Sequence, residues 1–174
     1  MKKYLLIPIL VLIVSCTSTG TFQKHGVQTE YDRFEDSTTI SANSAMVYTA
    51  SLPMHQIQVS AFASCSGEEV CEPNRIRMNF SSISSGWMFL NLYPITFLID
   101  GEAIRFEEDD INAIRNTLGG DNVSESLYFS INSQLFNKIA FSEKVEVKIG
   151  IVDFEMTHAR RESLRLLYQE LFPE

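Results

Sequence analysis

Alternation with a period of two dominates the chain from Tyr31 onward and restricts it to a strand-rich fold. Val145, Val147, Ile149 and Ile151 alternate with Lys144, Glu146, Lys148 and Gly150, the pattern of a strand with one face on a core and the other in water. The same alternation runs through Ile57, Val59, Ala61 and Ala63, and again through Ile76, Met78 and Phe80. Shorter β-branched or apolar stretches at 38–40, 45–50 and 87–93 extend the series, the last ended by Pro94. Residues 95–99 and 102–106 flank Asp100-Gly101. Asp-Gly between two apolar runs marks a hairpin, because a type I′ turn needs positive φ at both central positions. Asp100 is thereby read as turn chemistry and not as a catalytic acid.

Three stretches follow the helical period instead. Residues 110–118 place Ile111, Ile114 and Leu118 on one stripe, with Gly119-Gly120 as the stop. Residues 133–140 carry Leu135, Phe136 and Ile139. A last helix over 158–172 would bury Leu164, Leu167 and Leu171, with Thr157 as its N-cap. The expected fold class is therefore α+β: mostly antiparallel sheet or sandwich with a C-terminal amphipathic helix packed on it. Trp87 is expected to pack in the core or on a sheet face.

Charge narrows the partners. The 174 residues hold 14 Lys+Arg against 22 Asp+Glu, a formal net charge of -8. An acidic surface does not suit neutralisation of phosphates, so nucleic acid is excluded as a general partner. It equally opposes electrostatic docking on anionic lipid. With 45% hydrophobic residues the chain is too apolar for a disordered acidic tail.

The N-terminus has a different character. Lys2 and Lys3 precede an unbroken apolar run over 4–14 that stops at Ser15-Cys16. As a helix, eleven residues rise about 16 Å, half of the ~30 Å hydrocarbon thickness, so the run is too short to span a bilayer. A basic start, a short apolar core and a small residue at the end have the form of a secretory signal peptide. The exit sequence Ile13-Val14-Ser15-Cys16 resembles the lipobox of bacterial lipoproteins. The resemblance implies a diacylglyceryl thioether on Cys16 and cleavage before it, so that 1–15 is signal peptide. Two or three acyl chains would anchor the protein stably, each buried CH₂ contributing about 0.8 kcal/mol. Loss of Lys2 and Lys3 leaves 12 basic and 22 acidic groups on 159 residues, a mature charge of -10. Residues 16–27 then read as the lipidated cysteine and a flexible tether, and 28–174 as one folded domain. Thr17, where an Asp would favour inner-membrane retention in similar lipoproteins, leaves outer-membrane delivery open.

With Cys16 assigned to lipid, Cys65 and Cys71 form an even pair in an exported protein. Strand-like segments on both sides suggest a hairpin whose loop is stapled at its neck by a disulfide. Free thiols are one alternative, and a metal site using Glu68, Glu69 and Glu72 is another, although the knuckle spacing and second ligand pair of structural zinc are missing.

Other chemistry is sparse. Glu107-Glu108-Asp109-Asp110 hints at calcium but has no EF-hand spacing; four acids opening the helix at 110–118 would instead complement its macrodipole. His25, His55 and His158 are scattered and form no metal-binding motif. Nucleophile-elbow, Walker and dinucleotide-binding patterns do not occur. The expectation is no catalytic residue, no metal and no cofactor. Arg160 and Arg161, at the unfavourable end of the last helix, are read as a solvated pair or as facing an acidic partner or Glu146. Tyr31-Asp32-Arg33-Phe34 and the segment 98–102 look like motifs of uncharacterised envelope lipoproteins and carry no function with them.

The sequence thus points to a lipid-anchored protein of the bacterial cell envelope, expected at the outer membrane facing the periplasm, with the inner membrane or cell surface as alternatives. It would serve as a binding or accessory module of unknown partner, an envelope protein being one candidate, without chemistry of its own. The rival readings are an exported hydrolase with a carboxylate pair, and a carrier of lipid or another hydrophobic ligand. A cleft of converging carboxylates would favour the first, a large apolar cavity the second, and an exposed sheet edge the binding module.

Overall fold

The computed structural model describes residues 22–24, 26–51, 54–91 and 93–173. The expected signal peptide, Cys16, most of the expected tether and His25 lie outside the described residues.

Among the described residues, twelve strands form two antiparallel sheets. The larger contains β1 (Phe22–Lys24), β2 (Val27–Asp32), β3 (Ser37–Ala42), β4 (Ala45–Ser51), β5 (Met54–Ser66), β6 (Ile76–Ser84), β9 (Asn112–Gly119) and β10 (Asn122–Ile131). Their order is β1-β2-β3-β5-β6-β10-β9, with β4 also on β5. The smaller sheet, in the order β12-β11-β7-β8, contains β7 (Ile95–Ile99), β8 (Glu102–Phe106), β11 (Val145–Ile149) and β12 (Val152–Glu155). Helices α1 (Ser133–Phe141) and α2 (Glu162–Leu171) complete the α+β fold. The thirteen-residue β5 serves two neighbours along one side, pairing with β4 from Met54 to Val59 and with β3 from Phe62 to Ser66.

The period-two pattern produces the core. Ile57, Val59, Ala61 and Ala63 of β5, Ile76, Met78 and Phe80 of β6, and Leu127, Phe129 and Ile131 of β10 are all buried on one face. They meet Phe97 and Val147 of the smaller sheet through a set of phenylalanines. Phe80 lies 6.0 Å from Phe97 and 5.9 Å from Phe129, while Phe106 lies 4.9 Å from Phe129. Each such aromatic pair contributes about 0.5–1.5 kcal/mol beyond its buried area. Leu164, Leu167 and Leu171 turn the apolar stripe of α2 onto β2, β3 and β5. The C-terminal helix is thus packed on the sheet as its spacing predicts.

Both expected hairpins form. Asp100 and Gly101 have φ of 47° and 90°, the conformation a type I′ turn demands. Register Ile99↔Glu102 leaves only those two residues between β7 and β8. β5 and β6 pair over His55 to Phe62, and a disulfide joins Cys65 to Cys71 with Cα atoms 5.6 Å apart.

Several expectations are corrected. Residues 110–118 are not a helix: a 3₁₀ turn, Glu108–Asp110, leads into strand β9. The Ile111, Ile114, Leu118 spacing imitates a helical stripe, but the free side of β10 supplies a complete ladder for this segment. Gly119 and Gly120, expected to stop a helix, turn the β9–β10 hairpin with φ of 91° and 61°. Residues 87–91 and 93 do not form a strand, and Trp87 is 39% exposed. Ile151 leaves the β11 alternation for the β11–β12 turn and is 90% exposed. Gly150 opens that turn at φ 60°, and a Cβ there would lie 2.7 Å from the Tyr93 ring. Thr157 does not cap the last helix by its side chain. The chain enters through a 3₁₀ turn, Ala159–Arg161, and α2 begins at Glu162 with no side-chain cap. The expected tether also ends early, since Phe22–Lys24 already pairs with β2.

Candidate functional site

Among the described residues, β9 ends the path of the larger sheet and pairs on one side only, with β10. The glycine turn places it at the end of the larger sheet, with register Arg115↔Glu125 and Ile114↔Ser126 against β10. Alternation then sends Arg115 inward, while Ile114 and Leu118 point outward and are 53% and 55% exposed.

The inward pair fixes a neighbouring segment. Glu125 is completely buried, and its carboxylate accepts the Met88 N–H at 2.6 Å and the Phe89 N–H at 3.1 Å. A buried carboxylate is tolerated only when hydrogen-bonded and paired. Arg115 supplies the countercharge, its Nε 3.6 Å from Oε1, a distance too long for a hydrogen bond. Its Nη2 donates instead to the carbonyls of Phe89 at 2.8 Å and Leu90 at 3.2 Å. Residues 88–90 are thus held to β9 and β10 by side chains, which is why they form no strand ladder. Leu90, whose carbonyl Arg115 holds, is 59% exposed beside the edge.

The remaining edges are guarded. Short strands and charges discourage strand addition. β1 has three residues. β12 has four and carries Asp153 and Glu155, while β8 has five and carries Glu102 and Arg105. The free side of β4 is met by Arg160, whose Nη1 donates to the Val47 carbonyl at 2.6 Å. β9 has eight residues, and its only charged side chain, Arg115, faces inward.

Arg160 and Arg161 therefore form neither a solvated pair nor a contact with Glu146, which pairs with Lys144. Arg161 is fully buried. Its Nε donates to the Met156 carbonyl at 2.7 Å, Nη1 to Ile139 at 2.8 Å, and Nη2 to Ser142 at 2.8 Å. Two of these carbonyl oxygens lie at the C-terminal end of α1 and just beyond it, where the helix dipole favours a cation. Burial, with the neighbouring Arg165 charge, lowers the Arg161 pKa from its usual value. Sequence reasoning missed this residue, and its only signal was a cation at the wrong end of a helix.

Other predicted positions are dispersed. The disulfide loop is tied to the β2–β3 turn, where Thr38 Oγ1 donates to the Gly67 carbonyl at 2.7 Å and Gly67 N to that of Asp36 at 2.7 Å. Glu68, Glu69 and Glu72 are exposed on or beside that loop. In the β2–β3 turn, Asp32 accepts the Phe34 N–H at 2.8 Å, and Arg33 lies 4.7 Å over the Phe34 ring. The Tyr31 hydroxyl donates to Asp36 at 2.9 Å, and that bond raises its pKa above 10.0. Glu107 and Asp110 cap each other's backbone across the 3₁₀ turn, where no long helix follows. His55 opens β5 and the exposed His158 precedes the last 3₁₀ turn. Among the described residues, no three His, Cys, Asp or Glu side chains gather as a metal site. Glu125, the one fully buried carboxylate among them, is occupied by backbone donors.

The fold is a two-sheet antiparallel sandwich with a helix packed on its larger sheet. The chain matches no protein-family model, no curated protein and no solved structure.

Proposed function

We propose that the chain is a lipid-anchored protein of the bacterial cell envelope, tethered through Cys16, whose β-rich domain binds a protein partner by accepting a strand along β9. One observation carries the binding mode: of the sheet edges among the described residues, β9 alone combines eight residues with no outward charge. An extended partner segment would complete the unpaired backbone groups of β9 and lay apolar side chains over Ile114 and Leu118. Leu90, held beside the edge through Arg115, widens the apolar contact. The anchor rests on the resemblance of residues 13–16 to a lipobox, and the mature charge of -10 suits a domain that stands off anionic headgroups.

The experiment is crosslinking and co-purification from the native envelope, with the partner identified by mass spectrometry. It is run beside Ile114→Lys/Leu118→Lys and Cys16→Ala. The charged edge should release the partner while the protein stays with membranes, because lysines on an edge oppose strand addition. Cys16→Ala should leave the membrane fraction. A partner retained at full yield by the lysine variant overturns the edge, and a membrane-bound Cys16→Ala overturns the anchor.

A further inference from the structure

A cleft of about 840 Å³ opens where the outer face of β6 and β10 meets β8 and the acidic 3₁₀ turn. Arg75, Arg77, Asp109, Asp110, Tyr128 and Phe106 line it. This volume falls within the range of small-molecule sites, about 300–1,000 Å³. Arg105 reaches the cleft as well, but Glu107 engages it at 2.8 Å.

The charges in this cleft are not paired with one another. Among the described residues, neither Arg75 nor Arg77 has a carboxylate oxygen within 4.0 Å. Arg77 is steadied only by the Phe62 ring, 5.5 Å from its guanidinium. Among the described residues, Asp109 has no hydrogen-bond or ion-pair partner, and Asp110 uses one oxygen to accept the Glu107 N–H at 3.3 Å. The cations come from β6 and the residues before it, the acids from the turn after β8. Two free guanidinium groups and two available carboxylates therefore share one cleft without neutralising each other.

We propose that this cleft binds a short peptide with free termini, its carboxylate taken by Arg75 and Arg77 and its ammonium by Asp109 and Asp110. A guanidinium fork matches a carboxylate in two parallel hydrogen bonds, whereas a carboxylate accepts from an ammonium at any of its lone pairs. The two poles fix the direction of the ligand. Tyr128 and Phe106 offer ring surface to its side chains, and the volume exceeds what a single amino acid fills. A simple anion would satisfy the arginines and leave the aspartates repelling it, and a simple cation the reverse. The site goes beyond the edge reading and does not depend on it: strand addition uses the free backbone groups of β9, whereas the charged poles of the cleft come from β6, the residues before it and the turn, although Ile114 of β9 borders both.

The test is isothermal titration of the full-length chain with trialanine, N-acetyl-trialanine, trialanine amide and sodium acetate. Trialanine should bind saturably. Blocking either terminus should weaken binding about tenfold or more, the loss of one charge-assisted contact. Arg75→Ala/Arg77→Ala should bind trialanine as weakly as the wild type binds the amide, and should no longer distinguish the two. Asp109→Asn/Asp110→Asn should likewise stop distinguishing trialanine from its acetylated form. The blocked peptides probe the unmodified protein, so the outcome does not hang on the folding of a variant. Equal affinity for free and blocked peptides overturns the proposal. So does acetate binding as well as trialanine, which marks a plain anion site, and so does the lack of saturable binding. A negative result here leaves partner capture on β9 untouched.

Discussion

Arg161 Nη1 donates to the Ile139 carbonyl at 2.8 Å, and this contact closes the end of α1 with a side chain from the start of the last helical segment. Through the same guanidinium the chain after β12 is joined to the loop before β11, because Met156 and Ser142 carbonyls accept from it too. One planar cation thus replaces three separate caps.

Replacing Arg161 by methionine should lower unfolding free energy by about 3 kcal/mol or more, since several buried carbonyls would lose their donors together. Arg161→Lys should recover only part, because an ammonium cannot reproduce the fork. Urea unfolding of the three proteins, followed by circular dichroism, measures the ordering.

Glu125→Ala should free the Met88 and Phe89 N–H groups and leave Arg115 without its countercharge, at a cost of about 3 kcal/mol. Hydrogen exchange should quicken at Met88 and Phe89 well before it quickens in β5 or β6. Uniform exchange across the domain would show that the contact is not local.

Reduction of the Cys65–Cys71 bond reopens a small loop, and the chain-entropy relation gives a loss of about 2 kcal/mol. The thermal midpoint should fall with dithiothreitol, and Cys65→Ser/Cys71→Ser should no longer respond to the reductant. Because Thr38 and Asp36 hold the loop through Gly67, the fold should survive reduction.

Acid sensitivity has an assignable source at Asp100. The Lys144 N–H bonds its carboxylate at 2.8 Å and, with smaller help from Ser142, lowers its pKa from 3.8. A depressed carboxylate stabilises the fold above its unfolded pKa, and that contribution disappears as pH falls through the lower folded value. Asp100→Asn keeps the turn, because Asn also accepts positive φ. Stability measured from pH 5 to pH 2 should therefore fall less steeply below about pH 4 in this variant than in the wild type.

The sequence made visible those elements whose period and burial agree. β5, β6 and β11 alternate apolar with polar residues, and the Asp100-Gly101 turn has a local chemical requirement. β9 was hidden because its inward residues are Ala113, Arg115 and Thr117: only the small Ala113 packs on the apolar core, while Arg115 answers to a buried glutamate on β10. Its outward Ile114 and Leu118 supplied the false helical stripe. The aromatic and aliphatic residues at 87–93 mimic a strand in the sequence, whereas residues 88–90 are held by the side chains of Arg115 and Glu125, 25 to 37 positions away. The role of Arg161 depends on carbonyls from separate segments, and carbonyls leave no trace in residue identity. The cleft likewise joins arginines near β6 to acids after β8, which only the two-sheet arrangement brings together.

The described fold begins at β1, at one end of the larger sheet, and β9 lies at the other. Seven strands in the path make six spacings, about 29 Å at ~4.8 Å each. Tension between a membrane tether and a partner on β9 would run across the strands, so ladders would peel open a bond at a time instead of resisting in shear. The domain would then act as a mechanical fuse, parting at its weakest seam before a covalent anchor is strained.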